Sequence, residues 1–264
     1  MKGIICTYSG SGNTKLVCRH LIKRIPGVEF DLFDITKGGL PDLATYDIVG
    51  FATFTDLVGV PHLLHTFLRR LPKQESKPAF VLLTYGSIIG RALKSLAGMA
   101  SAQGFRVLAG HALHTPESYP PMIAGRKGAE EAPSEKELTR FNAFCADLNQ
   151  RLTRLQAGRP VRNRPIRLSL LNGIIPVVPR SISRRIMGDK YVDESRCIEC
   201  GVCQKRCPYG AITLDPKPVF DTSKCQACWA CYNHCPEKAI YTAKYRDVGH
   251  YPKPIAQFKQ KLDI

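Results

Sequence analysis

The chain has 264 residues, 44% of them hydrophobic, 23% charged and 8% aromatic, a composition that excludes wholesale disorder and is long enough for two modest domains with a core each. Its formal charge of +16 is uneven, because residues 151–190 hold ten basic residues against one acidic residue; this implies a local basic surface and an acidic partner rather than a nucleic-acid-binding fold. The opening MKGIICTYSGSGNT lacks the apolar core of a signal peptide, and the longest apolar stretch, 168–179, is broken by Asn172 and Pro176 and is too short to span a bilayer, so a soluble, cytoplasmic protein is expected.

In chain order, short β-type runs at 2–8, 28–34, 46–52, 78–84 and 105–113 alternate with helix-length segments at 14–25, 63–71 and 91–103. This pattern predicts an α/β domain on a parallel sheet. Across 134–155 the apolar residues Leu138, Phe141, Phe144, Cys145, Leu148, Leu152 and Leu155 recur at three- and four-residue spacing, the mark of an amphipathic helix, and Ser134 with Glu137 forms a capping box at its start. Residues 1–155 are therefore read as the first domain. Residues 156–190, rich in Arg, Pro and Gly, read as a connector with at most short helices, and 191–264 as a small Cys-rich domain with a C-terminal tail.

After the first predicted strand comes Thr7-Tyr8-Ser9-Gly10-Ser11-Gly12-Asn13-Thr14. Hydroxyl and glycine residues at a strand-to-helix turn let backbone N–H groups and the helix N-terminus surround a phosphate. A dinucleotide fingerprint fails because Lys15 stands where its third glycine belongs, and a P-loop needs four residues between its glycines and then Gly-Lys-Ser/Thr. Ser9 to Thr14 resembles the flavodoxin phosphate loop, which binds the FMN phosphate at the switch point of a doubly wound sheet; a ligand-free Gly/Ser turn is the alternative. The same resemblance, which covers about the first 120 residues, implies that the loops Ala52-Thr53-Phe54 and Thr84-Tyr85-Gly86 hold the flavin ring, with Phe54 as the stacking aromatic. His62, His65, His111 and His114, near these loops, are read as structural.

Eight of the eleven cysteines form two runs: Cys197, Cys200, Cys203 and Cys207 before Pro208, and Cys225, Cys228, Cys231 and Cys235 before Pro236. Each has the spacing C-x2-C-x2-C-x3-C-P, and 197–212 aligns with 225–240 without a gap at a period of 28 residues, so two half-domains are implied. Zinc knuckles show paired C-x2-C or added His, and seldom three evenly stepped thiolates twice over. The runs resemble bacterial two-cluster ferredoxins, in which the fourth Cys of each run ligates the other cluster. That resemblance implies one [4Fe–4S] cluster on Cys197, Cys200, Cys203 and Cys235, and a second on Cys225, Cys228, Cys231 and Cys207. Trp229 is expected to shield the second cluster and His234 to be solvated. Cys6, Cys18 and Cys145 read as buried free thiols.

As a whole the sequence resembles the flavodoxin–ferredoxin fusion proteins of anaerobic bacteria and archaea. The resemblance implies a doubly wound parallel-sheet flavodoxin-like domain followed by a small α+β two-cluster ferredoxin-like domain. Its cofactors would be two [4Fe–4S] clusters and FMN, and its activity electron transfer between a low-potential donor and a redox partner. A flavin-dependent reductase of a small substrate and a ferredoxin with a vestigial flavodoxin domain are the alternatives. The connector arginines, from Arg151 to Arg185, imply docking to an acidic redox partner or contact with an anionic membrane surface without spanning it, or else a solvated linker.

Overall fold

The computed structural model describes residues 1–166 and 175–264; Arg167 and the LSLLNGI segment of the connector lie outside the described residues. Strands β1 (Lys2–Thr7), β3 (Ile48–Phe54) and β4 (Pro78–Tyr85) are near-continuous apolar runs buried on both faces, as central parallel strands must be. They pair with β2 (Glu29–Asp34) and β5 (Arg106–His114) in the order β2-β1-β3-β4-β5, every pair parallel. That is the flavodoxin-like strand order of a doubly wound sheet, with its switch point between β1 and β3.

Alternation along the strands sends Ile5, Ile48, Phe80 and Leu82 to one face and Ile4, Val49, Phe51, Val81 and Leu83 to the other. Helices α1 (Asn13–Lys23) and α5 (Glu135–Gln156) cover the first face, and α2 (His62–Arg70) and α3 (Ala92–Ala102) the second. A short α4 (Pro120–Ala124) follows β5. The capping box forms as expected: the Glu137 carboxylate accepts from the Ser134 backbone N–H at 2.8 Å while Ser134 Oγ accepts from the Glu137 N–H at 3.4 Å. Cys6, Cys18 and Cys145 are buried and unpaired, and burial pushes each thiol up to about 12.

The connector contains one described helix, α6 (Arg180–Met187). Beyond it, β6 (Lys190–Val192) pairs antiparallel with β9 (Ile240–Thr242), and β7 (Ile212–Asp215) with β8 (Lys217–Phe220). Each repeat carries one short helix, α7 (Val202–Lys205) or α8 (Ala230–His234). The period of 28 reappears in the backbone, because the left-handed residues fall in matched pairs: Glu199 with Ala227, Gly201 with Trp229, and Gly210 with Lys238. Trp229 thus holds at φ 62° a conformation for which the first repeat uses glycine, at a cost of about 1–2 kcal/mol.

The C-terminal tail packs on the flavodoxin-like domain. Its helix α9 (Ala256–Lys261) carries Phe258, which with Leu262 is fully buried in the core formed by α1, α5 and the sheet. His20 Nδ1 lies 2.8 Å from the Leu262 carbonyl, and the Tyr251 hydroxyl donates to Asn13 Oδ1 at 3.0 Å. The i, i+4 apolar pair of Phe258 and Leu262 buries itself against the apolar core shared by α1 and α5. No described helix is long and apolar enough to cross a membrane.

Candidate functional site

The eight clustered cysteines stand around two cavities. Cys197, Cys200, Cys203 and Cys235 line one, and Cys207, Cys225, Cys228 and Cys231 line the other, so each run sends its last member to its neighbour's pocket. The swap follows from the chain path: three cysteines lie on the turn and helix start, while the fourth lies past the short helix, turned toward the other repeat. Each pocket is thus lined by four thiols, the number a [4Fe–4S] cube takes, one on each iron.

Hydrogen-bond donors aim at the sulfurs. Backbone N–H groups of Ala211, Ala227 and Ala239 donate to Cys207, Cys225 and Cys235 Sγ at 3.3, 3.4 and 3.3 Å. Lys190 Nζ lies 3.1 Å from Cys225 Sγ. Such donors stabilise negative charge on sulfur and raise a cluster's potential. The two pockets differ in surroundings. Near the first, Cys200 is exposed and Ile198 is 62% exposed, whereas the second backs onto the flavodoxin-like domain through Trp229, which is 2% exposed.

Between the domains lies a cleft with two adjoining cavities. One is lined by Gly10, Ser11, Asn13 and Thr14 of the phosphate loop, by Phe54, Thr84, Tyr85 and Gly86, and from the far side by Cys228, Ala230 and Asn233. The other, about 210 Å³, runs from Phe54 through Val58 and from Gly86 through Ile88, and Ala227, Cys228 and Trp229 close it. Gly12, at φ 98°, takes the left-handed conformation that begins α1, and the Thr14 and Thr84 hydroxyls are hydrogen-bonded at 2.8 Å. A side chain at Gly86 would run into the Glu117 carboxylate, which accepts from the Ser118 and Tyr119 N–H groups at 2.9 and 3.1 Å.

Four residues that line the 210 Å³ cavity each carry a buried side-chain polar atom without a hydrogen-bond partner: Thr55 Oγ1, Tyr119 OH, Ser183 Oγ and Trp229 Nε1. The Tyr119 hydroxyl and the indole N–H of Trp229 are neighbours. Orphaned buried donors are costly, about 1–3 kcal/mol each, and a flat, acceptor-rich ring such as a flavin's would satisfy them. The residues present therefore fit such a group.

Several expectations are corrected by this geometry. Ala52 and Thr53 are fully buried within the sheet and do not line the cleft, because β3 continues to Phe54, two residues further than expected, and the loop proper starts at Thr55. Ser9 and Gly12 line a different cavity on the β2 side of the loop. His234 is not solvated: its Nε2 lies 2.9 Å from the Gly10 carbonyl, and burial pulls its pKa below the ordinary value. Phe54 does line both cavities, tilted against Tyr8 with centroids 5.0 Å apart. His111 and His114 pack on Phe144 and Tyr85 at 5.0 and 5.2 Å, as structural side chains do.

Residues that sequence reading missed come from the seam. Tyr119 follows β5, Ser183 sits on α6, and Trp229 was read only as a shield. Arg180 forms an ion pair with Asp56 and donates to the Gln226 carbonyl at 2.6 Å, and Arg184 donates to the Cys225 carbonyl at 2.8 Å. Part of the basic connector thus straps the two domains together. Asn233 donates to the Ser118 carbonyl at 3.0 Å from the opposite side of the cleft.

Residues 190–213 and 218–241 match the 4Fe-4S binding domain family. No curated protein matches the sequence. Among solved structures, a flavodoxin from the domain Archaea is 17% identical over 58% of this chain and 99% of its own, with a TM-score of 0.43. The Streptococcus pneumoniae TIGR4 flavodoxin is 15% identical over 56% and 97%, with a TM-score of 0.42. Rubredoxin oxygen:oxidoreductase from Desulfovibrio gigas is 14% identical over 59% of this chain and 37% of its own, with a TM-score of 0.45. Residues 190–213 and 218–241 are thus 4Fe-4S binding segments of ferredoxin type, and they follow a parallel sheet of flavodoxin-like strand order.

Proposed function

We propose that this iron–sulfur electron-transfer protein carries FMN in the cleft between its domains, in series with two [4Fe–4S] clusters held by Cys197, Cys200, Cys203 and Cys235 and by Cys207, Cys225, Cys228 and Cys231. The observation that carries the reading is Cys228, which lines the second cysteine pocket and both cavities of the cleft. One side chain separates the two cofactor sites. When bound, such clusters exchange single electrons and a flavin can hold one or two, which suits a converter between one- and two-electron partners.

The chain's own residues do the positioning. Ser11, Asn13 and Thr14 offer donors to a phosphate at the start of α1, Phe54 supplies an aromatic face, and Thr55, Tyr119, Ser183 and Trp229 hold buried, unpartnered donors at the cavity wall. Trp229 and Tyr119, edge to face at 6.1 Å, keep water from the wall beside Cys228. The exposed rim at Ile198, Cys200 and Val219 is the face for an external redox partner. Exposed Arg154, Arg159, Arg162 and Arg185 favour an acidic one.

Oxygen-free purification followed by iron, sulfide and flavin quantitation tests the reading. About eight irons and eight sulfides per chain are expected for two cubes, together with one FMN. The Ser183→Ala, Thr55→Val double variant should keep its iron and bind FMN more weakly, by roughly thirtyfold, if each of the two lost hydrogen bonds contributes about 1 kcal/mol. Full iron with no flavin bound, even when FMN is added, would leave a ferredoxin function alone.

A further inference from the structure

On the β2 side of the phosphate loop, back to back with the cleft, lies a cavity of about 420 Å³. Its lining combines Lys15 and Lys37 of the flavodoxin-like domain, Arg206 and His234 of the ferredoxin-like domain, and Lys253 of the tail. The one carboxylate there, Asp34, is engaged: Oδ1 accepts from the Thr36 N–H at 3.0 Å and from its hydroxyl at 2.7 Å. Lys15, Lys37, Arg206 and Lys253 make no ion pair or side-chain hydrogen bond among the described residues. Four exposed cations without an ion-pair partner, set around one concavity, concentrate a positive field that attracts anions. Thr7, 2% exposed and beside the Cys18 thiol, also lines this cavity.

We propose that this cavity is a second anion site, distinct from the cleft, that takes a phosphate-bearing ligand with two or more negative charges. The concavity favours a small ligand over an acidic protein surface. Ser9 and Ser11 supply hydroxyls at its floor, while Leu32, Phe33 and Pro252 form an apolar wall, which suits a phosphate group attached to an organic body such as a nucleoside diphosphate. His234 holds the Gly10 carbonyl and so ties the loop to the second domain from this side. The ligand therefore bridges three segments far apart in sequence. Arg206 and His234 directly precede Cys207 and Cys235, so the bound anion lies close to the last cysteine of each run and makes reduction there less favourable.

The inference goes beyond flavin binding and does not need it. Anaerobically prepared protein, with the cofactors it carries, is titrated calorimetrically at near-physiological salt with inorganic pyrophosphate and, separately, with ADP; the Lys37→Glu, Lys253→Glu double variant is run in parallel. Both side chains are exposed, so the variant keeps its fold and its iron content serves as the check. Saturable binding that weakens tenfold or more in the variant, with midpoint potentials shifted negative by the ligand in the parent only, is the expected result. Tighter binding of ADP than of pyrophosphate supports the apolar wall; equal binding keeps the anion site and removes that wall from it. Absence of saturable binding, equal affinity in the variant, or release of bound flavin by pyrophosphate overturns the proposal, the last because the loop would then serve one site only.

Discussion

Replacing Lys190 by methionine should make the cluster in the inner cysteine pocket harder to reduce. Lys190 starts β6, its ammonium 3.1 Å from Cys225 Sγ and 5.2 Å from the centroid of the Phe220 ring. Reduction adds one negative charge spread over the cube, farther from Nζ than the sulfur itself. Taking a mean separation of ~6 Å and an effective dielectric between ~20 and ~80, Coulomb attraction contributes ~0.7–3 kcal/mol. For a one-electron couple this corresponds to ~30–120 mV. Loss of the hydrogen bond to sulfur acts in the same direction. Methionine keeps the chain length beside Met187, whose sulfur is 4.0 Å from Nζ, so the change is one of charge more than of packing. In a redox titration followed by electron paramagnetic resonance, one cluster should move negative while the other, beyond the Cys207 side of the repeat, moves far less. Unchanged potentials, a positive shift, or equal shifts of both clusters would refute the reasoning.

Three further outcomes follow from the packing. Phe258→Ala should cost about 3–5 kcal/mol, because a fully buried phenylalanine leaves a cavity against α1 and α5; a urea midpoint equal to that of the parent would show that the tail adds nothing to the core. Asp56→Ala and Arg180→Ala each remove one partner of a pair whose side chains are only 14% and 23% exposed. Each should cost ~1–3 kcal/mol, with the double variant little worse than either single, and strict additivity in a double-mutant cycle would contradict the strap. Burial holds the His111 pKa down at about 4, below the ~6.5 expected of the unfolded chain. The neutral ring's contribution is fully present above ~6.5 and is lost as pH falls toward 4, since the unfolded chain takes up the proton first. His111→Phe, which keeps a ring against Phe144, should flatten stability between those pH values, whereas parallel curves for variant and parent would exclude it.

How far the sequence reached depended on the range of the signal. The short apolar runs of β1, β3 and β4, the 3.6-residue period of α5 and its Ser134–Glu137 cap are each written in a span of a few residues, and each appears where it was expected. Boundaries were less legible. β3 runs to Phe54 because Val49 through Phe54 keep pairing with Ala79 through Thr84, a register set by the neighbouring strand, and this is why Ala52 and Thr53 fall inside the sheet instead of facing the cleft.

What the sequence by itself determined is the chemistry each segment can hold: thiolates stepped for iron cubes, small residues and hydroxyls at a strand-to-helix turn, an apolar i, i+4 pair in the tail. What only the tertiary structure decided is which segments meet. Phe258 and Leu262 required some apolar surface, and the fold supplied the face shared with α1. Trp229, Tyr119 and Ser183, which carry buried donors without a partner, meet at the wall of one cavity although they come from three separate elements. Arg180 reaches Asp56 across 124 residues and His234 reaches Gly10 across 224. Local periodicity carries no information about such distances, because the energy of a contact between remote segments exists only once the chain has brought them together.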